Sequence, residues 1–229
     1  PAIDAIRFFS TYHWVADPEQ GLARPPAIAR LRRWTPFKNQ VAVVYGVLQQ
    51  RLFRWRARAL RGWLLHAPNY ILPRWAGPSV ATIHDLSHLH YPHYHPAERI
   101  AYLEAHLPAT LAQAQVLITV SDFVRQDLIA QLGIPAERVI RVYNGVSAAF
   151  HPHSPTVLAP VLARHGLANL AYLLVVATLE PRKNLLRLVE AYSRLPATLR
   201  QRHPLIIGGA RGWLTEDLEK RLIPLERSG

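Results

Sequence analysis

The sequence predicts an α/β fold built from two successive parallel-sheet units, and three observations carry that prediction. Apolar runs of strand length alternate with segments whose apolar residues recur at the helical period. The runs end on polar residues or glycine, as strands do where a parallel sheet turns into a helix. Three prolines between positions 152 and 160 interrupt the alternation and separate the two units.

In chain order, strands are predicted at 5–9, 63–67, 79–84, 116–121 and 139–144, with helices over 97–114 and 122–132 between them. Residues 1–150 form the first unit, 151–170 a linker, and 171–229 the start of a second unit. That second unit holds a strand at 172–179, a helix at about 184–195 and a strand at 204–210, too few for a complete domain of this type. The 229 residues, 50% hydrophobic, exclude a disordered tail. No run reaches the ~18 apolar residues of a membrane span. Residues 1–10 lack the basic start and apolar run of a signal peptide. With no cysteine, disulfide scaffolds and thiolate metal sites are excluded, in keeping with a cytoplasmic protein. A chain that begins at Pro1 and contains no methionine reads as an internal stretch of a longer protein.

Charge is concentrated. Between Gly21 and His84 there are eleven basic residues and no acidic one, which accounts for +11 of the net +12. Arg51, Arg54, Arg58 and Arg61 recur at helical spacing, with Leu48, Leu52, Trp55, Ala59 and Trp63 assigned to another face. Such a stripe suits a solvated face or an anionic membrane surface reached through residues 24–61. Nucleic acid is the weakest reading of the stripe, because no zinc-finger spacing, helix-turn-helix or RNP-like aromatic run accompanies it.

Five clusters could carry chemistry. His84 and Asp85 emerge where the strand 79–84 ends, the edge of an open α/β sheet at which ligands bind; a capping Asp with a neighbouring His is the plainer alternative. His84, His88, His90, His93 and His95 suggest a metal by number, but Pro92 and Pro96 make the stretch a loop without ligand spacing. Glu180-Pro181-Arg182-Lys183-Asn184 follows a strand ending near Thr178 and precedes a helix. There, backbone N–H groups, a guanidinium fork and an ammonium would suit a diphosphate, or merely mark a helix start. Gly208 and Gly209 open a turn that lets a ligand approach the backbone, or is only a turn; neither GxGxxG nor a Walker motif is present. Asn144-Gly145 follows the strand 139–144 at the junction and favours a left-handed turn.

In this order and spacing, LLHAPNYILP at 64–73, TIHDLSHLHYPHYHPAER at 82–99, LITVSDFVRQDLI at 117–129, VIRVYNGV at 139–146, LVVATLEPRKNLLRLVEAY at 174–192 and LIIGGARGW at 205–213 resemble glycosyltransferase family 4. The resemblance covers most of the chain from about residue 63. It is strongest to bacterial mannosyltransferases and related hexosyltransferases of cell-surface polysaccharide synthesis. It implies the GT-B fold, two facing Rossmann-like domains of which the second is cut short here. It also implies retaining transfer of a hexose from a nucleotide diphosphate sugar, GDP-mannose by the sub-family likeness, to a saccharide or lipid-linked acceptor. His84 matches the histidine that faces the donor sugar, and Arg182 with Lys183 match the basic pair at the diphosphate. Asp85, Ser121, Asn144, Gly145, Thr178, Glu180, Gly208 and Gly209 are the implied substrate-binding positions. No cofactor is implied, since the nucleotide sugar is a substrate and no Asp-x-Asp is present for a metal. The implied place of work is the cytoplasm, peripherally on the inner face of the cell membrane.

The family's opening strand and glycine-rich loop are not matched, nor are two glutamates separated by seven residues. The stretch on its own is therefore expected to be inactive. A nucleotide-sugar 2-epimerase of the same fold and a basic nucleic-acid-binding or membrane-binding module are the other classes. The epimerase would form product from nucleotide sugar without acceptor, and the nucleic-acid module would show affinity falling steeply with salt.

Overall fold

In the computed structural model, which describes residues 5–10, 13–16, 51–60, 62–167 and 171–227, the first strands do not belong to a parallel sheet. β1 (Phe8–Ser10) pairs antiparallel with β2 (His13–Val15), so the strand predicted at 5–9 starts later and sits in a two-stranded ladder. Phe9 lies opposite Trp14 across that ladder, with the rings edge-on at 5.0 Å, an arrangement worth about 0.5–1.5 kcal/mol beyond its area. A helix over 51–57, α1, continues into a 3-10 turn at Arg58–Leu60. Its buried residues are Phe53, Ala57 and Leu60, at i, i+4 and i+7. The apolar face assigned from the sequence is thus corrected: Trp55, 62% exposed, and Ala59 face out beside Arg51, Arg54 and Arg58. The decisive contacts are those of Phe53, whose ring meets Phe9 at 5.0 Å and Trp75 at 6.3 Å. The basic residues from Arg24 to Lys38, together with Leu48 and Arg61, lie outside the described residues.

The main sheet runs β3 (Leu65–Ala67), β4 (Ser79–Ile83), β5 (Val116–Thr119), β6 (Val139–Arg141), in sequence order and parallel throughout. β4 is central and almost wholly buried, which is why it reads as a continuous apolar run. After β4 come two short helical turns, α2 (Ser87–His90) and a 3-10 turn (Pro92–Tyr94), where a loop is predicted. They split the histidine cluster: His88 and His95 are buried, while His90 and His93 are exposed. α3 (Ala97–Gln113) and α4 (Asp122–Leu132) match the predicted spans to within a residue. α4 is bounded by a Ser121 cap and by Gly133, whose φ of 62° is the left-handed stop that glycine allows. Leu103 and Leu107 of α3 and Leu128 of α4 join Ile83, Leu86 and Leu117 in the core.

The stretch 151–170, expected to lack regular structure, contains α5 (Pro155–Arg164). Pro155 occupies the first turn, where its missing N–H costs nothing, and Val157 and Leu158 donate back to Ser154 O. Only Pro160 removes an internal hydrogen bond. Beyond it, β7 (Leu173–Val176) pairs parallel with β8 (Leu205–Gly208), and α6 (Leu185–Ser193), α7 (Ala197–Arg202) and α8 (Glu216–Arg227) complete the elements. Leu185, Val189 and Leu218 form their core. Among the described residues, packing groups those up to Leu86 with Ala101–Tyr143, and Ser87–Ile100 with those from Asn144 onward. No helix among them is long and apolar enough to cross a membrane.

Candidate functional site

In the first unit, the carboxyl ends of neighbouring parallel strands hold the polar residues. His84 is the first residue beyond β4, and its Nε2–H donates to Pro68 O at 2.8 Å. That bond fixes the ring and presents Nδ1 as the lone-pair nitrogen of the neutral imidazole. The loop opposite is locked by Tyr70: its N–H donates to Thr82 O at 3.0 Å, and its hydroxyl accepts from the Asp85 N–H at 3.1 Å. Tyr70 pays for this with a φ of 56°, a left-handed backbone that non-glycine residues adopt only when the surroundings impose it. Ser121 stands beyond β5, the neighbour of β4. Its hydroxyl accepts from Val124 N–H at 3.2 Å, so it is a helix cap before it is anything else.

His66 and Tyr70 were missed in the sequence. His66 lies one residue before the end of the predicted strand 63–67, as His84 lies at the end of 79–84, and a histidine near a strand's carboxyl end was the available signal. His66 Nε2 and the buried Thr82 hydroxyl share a hydrogen bond at 2.8 Å. Although the residue as a whole is exposed, partial burial of the ring holds its pKa below the usual imidazole value. At the end of β6, Arg141 pairs with Asp122 at 3.1 Å and lies over the Tyr143 ring. Asn144 and Gly145 follow in an exposed, irregular stretch, and a Cβ on Gly145 would meet nothing within 4 Å.

In the second unit, Glu180 is buried to 5% exposure and its Oε1 accepts from Arg182 Nη2 at 2.8 Å. This carboxylate, expected at the substrate, orients the guanidinium beside it. Lys183 follows, exposed, in the 3-10 turn Pro181–Lys183. The N–H groups of Lys183 and Asn184 are used within that turn, by Glu180 O and Pro181 O, and so are not aimed at a ligand as the sequence suggested. Asn184, at φ 54°, then starts α6 without a side-chain cap. This leaves the first turn of that helix as the positive end of its dipole beside two cations.

Gly208 ends β8 opposite Val176 of β7, and Gly209 follows it. A Cβ on Gly209 would stand 1.8 Å from Ala177 O, so that glycine is required by the chain's own backbone. A Cβ on Gly208 would find ordinary room at 3.9 Å. Thr178 is exposed, with its methyl carbon 3.0 Å from where a Cβ of Gly212 would be. Arg211 bridges Leu179 through backbone pairing and binds Glu219 at 3.0 Å, anchoring the start of α8. Among the described residues, no three His, Asp or Glu side chains are grouped to hold a metal ion.

The family model described as Glycosyltransferase Family 4 matches residues 11–150. The chain is 39% identical over 169 residues to the O-antigen chain mannosyltransferase B of Escherichia coli, across 74% of this chain and 44% of that protein. It is 30% identical over 101 residues to the serotype-specific mannosyltransferase WbdA of Escherichia coli, across 43% of this chain and 12% of that protein. The chain thus spans less than half the length of these relatives. Among solved structures, Anabaena Alr3699/HepE in complex with UDP-glucose superposes with a TM-score of 0.52 at 19% identity, over 84% of this chain and 44% of that one. A glycosyltransferase from Rickettsia africae superposes with a TM-score of 0.51 at 14% identity, over 78% and 47%. These likenesses show a shared α/β glycosyltransferase fold.

Proposed function

We propose, for a chain that belongs to Glycosyltransferase Family 4, that it supplies one half of a retaining hexosyltransferase and the start of the other. The donor is a nucleotide diphosphate sugar, GDP-mannose, and the acceptor a saccharide, free or lipid-linked, in O-antigen-type polysaccharide synthesis. The mannosyltransferase relatives support the sugar, and the UDP-glucose held by the Anabaena structure supports the donor class. The observation that carries the reading is the Glu180–Arg182 pair. A buried carboxylate aims a guanidinium, with Lys183 next to it, at the end of a parallel strand and the start of a helix.

In the reaction, the bond from the sugar's anomeric carbon to the diphosphate breaks, and a bond to the acceptor oxygen forms on the same face. The acceptor's proton goes to the leaving phosphate oxygen. Arg182 and Lys183 stabilise the charge that builds on the diphosphate, the largest kind of contribution a prearranged site makes. His84, held through Nε2, presents Nδ1 to a sugar hydroxyl. No cofactor takes part in this scheme, and two cations balance the diphosphate. The enzyme works in the cytoplasm, held on the inner face of the membrane by the basic segment. The exposed Arg51, Arg54, Arg58 and Trp55 support that placement.

The test is transfer by the full-length enzyme against a panel of nucleotide sugars with lipid-linked acceptor, alongside Lys183→Ala. The variant is expected to lose 10²–10³-fold in kcat, the cost of deleting one stabilising donor. Interconversion of a nucleotide sugar without acceptor would instead identify an epimerase.

A further inference from the structure

We propose that the aromatic turn at residues 89–94 is a stacking platform for the saccharide acceptor, an inference that rests on the transferase reading above. α2 and the following 3-10 turn leave Leu89, His90, Tyr91 and His93 on the surface, with Tyr91 53% exposed. The Tyr91 and Tyr94 rings are nearly parallel, 23° apart with centroids at 6.1 Å. His90 flanks Tyr91 at 6.2 Å, and His93 flanks Tyr94 at 4.1 Å.

The turn is built. Tyr91 N–H donates to Ser87 O at 2.8 Å, Tyr94 N–H to Tyr91 O at 3.0 Å and His95 N–H to Pro92 O at 3.0 Å. Ser87 Oγ and His95 Nε2 share a hydrogen bond at 3.0 Å beneath it. A preformed aromatic surface of this kind binds without first having to order itself.

Its place within the second unit is informative. Trp213 Nε1–H donates to Tyr94 O at 2.8 Å, which ties the platform to the segment leaving Gly208 and Gly209. Gly212 N–H donates in turn to Leu179 O, and Glu180 to Lys183 follow directly. The platform and the cationic turn are therefore joined by one side-chain bond, from Trp213, and one backbone bond, from Gly212, at one end of β7 and β8.

The chemistry selects the occupant. Residues 86–97 contain no Lys, Arg, Asp or Glu, so the surface offers no permanent charge to a phosphate. A pyranose has one face rich in C–H groups, whose partial positive charge meets the negative face of an aromatic ring. Its hydroxyls reach sideways, where the exposed His93 imidazole can donate or accept. A neutral saccharide satisfies both features.

The experiment titrates the full chain with mannotriose and, separately, with GDP-mannose and GDP, using saturation-transfer NMR and tyrosine fluorescence. Tyr91→Ala and Tyr91→Phe are measured beside the wild type. The expected result is a loss of mannotriose affinity of about fivefold or more in Tyr91→Ala. Tyr91→Phe should stay within twofold, which also shows that the turn still folds, and GDP-mannose affinity should be unchanged in both. Equal mannotriose affinity in Tyr91→Ala, no mannotriose binding by the wild type, or displacement of mannotriose from Tyr91 by GDP would each overturn the platform. Mannotriose binding at Tyr91 without any GDP-mannose binding would uphold the platform and overturn the donor reading instead.

Discussion

Gly208 and Gly209 are adjacent, look alike in the sequence, and answer to different constraints. A methyl group on Gly209 would fall on Ala177 O, which is backbone and cannot rotate away. Gly209→Ala is therefore expected to cost about 3 kcal/mol or more. Gly208→Ala should change stability by less than about 1 kcal/mol. Urea unfolding of the two variants separates them, and equal midpoints would refute the distinction. If glycosyl transfer falls in Gly208→Ala while stability holds, that glycine serves ligand approach. His66 makes a pH prediction. Its pKa is lowered on folding, so between the folded and unfolded values the unfolded chain binds more protons. Stability should fall as pH drops through the ordinary imidazole range, and His66→Gln should flatten that fall while keeping a donor for Thr82. The comparison is of melting temperatures at pH 7 and pH 5, and parallel slopes in the two proteins would remove His66 as a contributor.

At the scale of the element, α1 is where packing chose a face that periodicity had placed elsewhere. Phe53→Ala is expected to cost about 3–5 kcal/mol and Trp55→Ala less than about 0.5 kcal/mol, read by chemical unfolding. Reversed values would restore the face assigned from the sequence. Both faces of α1 carry aromatic residues, so periodicity alone could not choose. The deciding partners, Phe9 and Trp75, are remote in the chain. The strands β3 to β8 and helices α3, α4 and α6 were legible because their apolar runs and periods are set locally in the sequence, and for α4 the caps agree. Ser121 and Gly133, for example, mark both ends of α4. The helix α5 was not legible, because proline composition reads as a break, whereas Pro155 sits where a helix accepts it. Of the candidate site, the strand-end positions were legible. The partners that give Glu180 and Ser121 their structural roles were not, because those depend on side-chain geometry that spacing cannot show.

Across the whole molecule, the balance of charge is what a partner meets first. Of the net +12, +11 belongs to residues 21–84, and α1 with the 3-10 turn after it displays three of those arginines beside an exposed Trp55. Each Arg near an anionic bilayer contributes about 1 kcal/mol, and an indole suits the interface. Replacing Arg51, Arg54 and Arg58 with Gln should therefore weaken partitioning to phosphatidylserine vesicles by about two orders of magnitude. Raising salt toward 1 M, where the screening length falls to about 3 Å, should do the same to the wild type. Trp55→Ser should lower vesicle affinity without altering the salt slope, since it removes apolar insertion and no charge. Neutral vesicles supply the control, because a basic face without an anionic partner gains nothing there. Undiminished binding by the triple variant would place the membrane contact outside α1. Tighter binding to a single-stranded oligonucleotide than to anionic vesicles would assign the same stripe to nucleic acid.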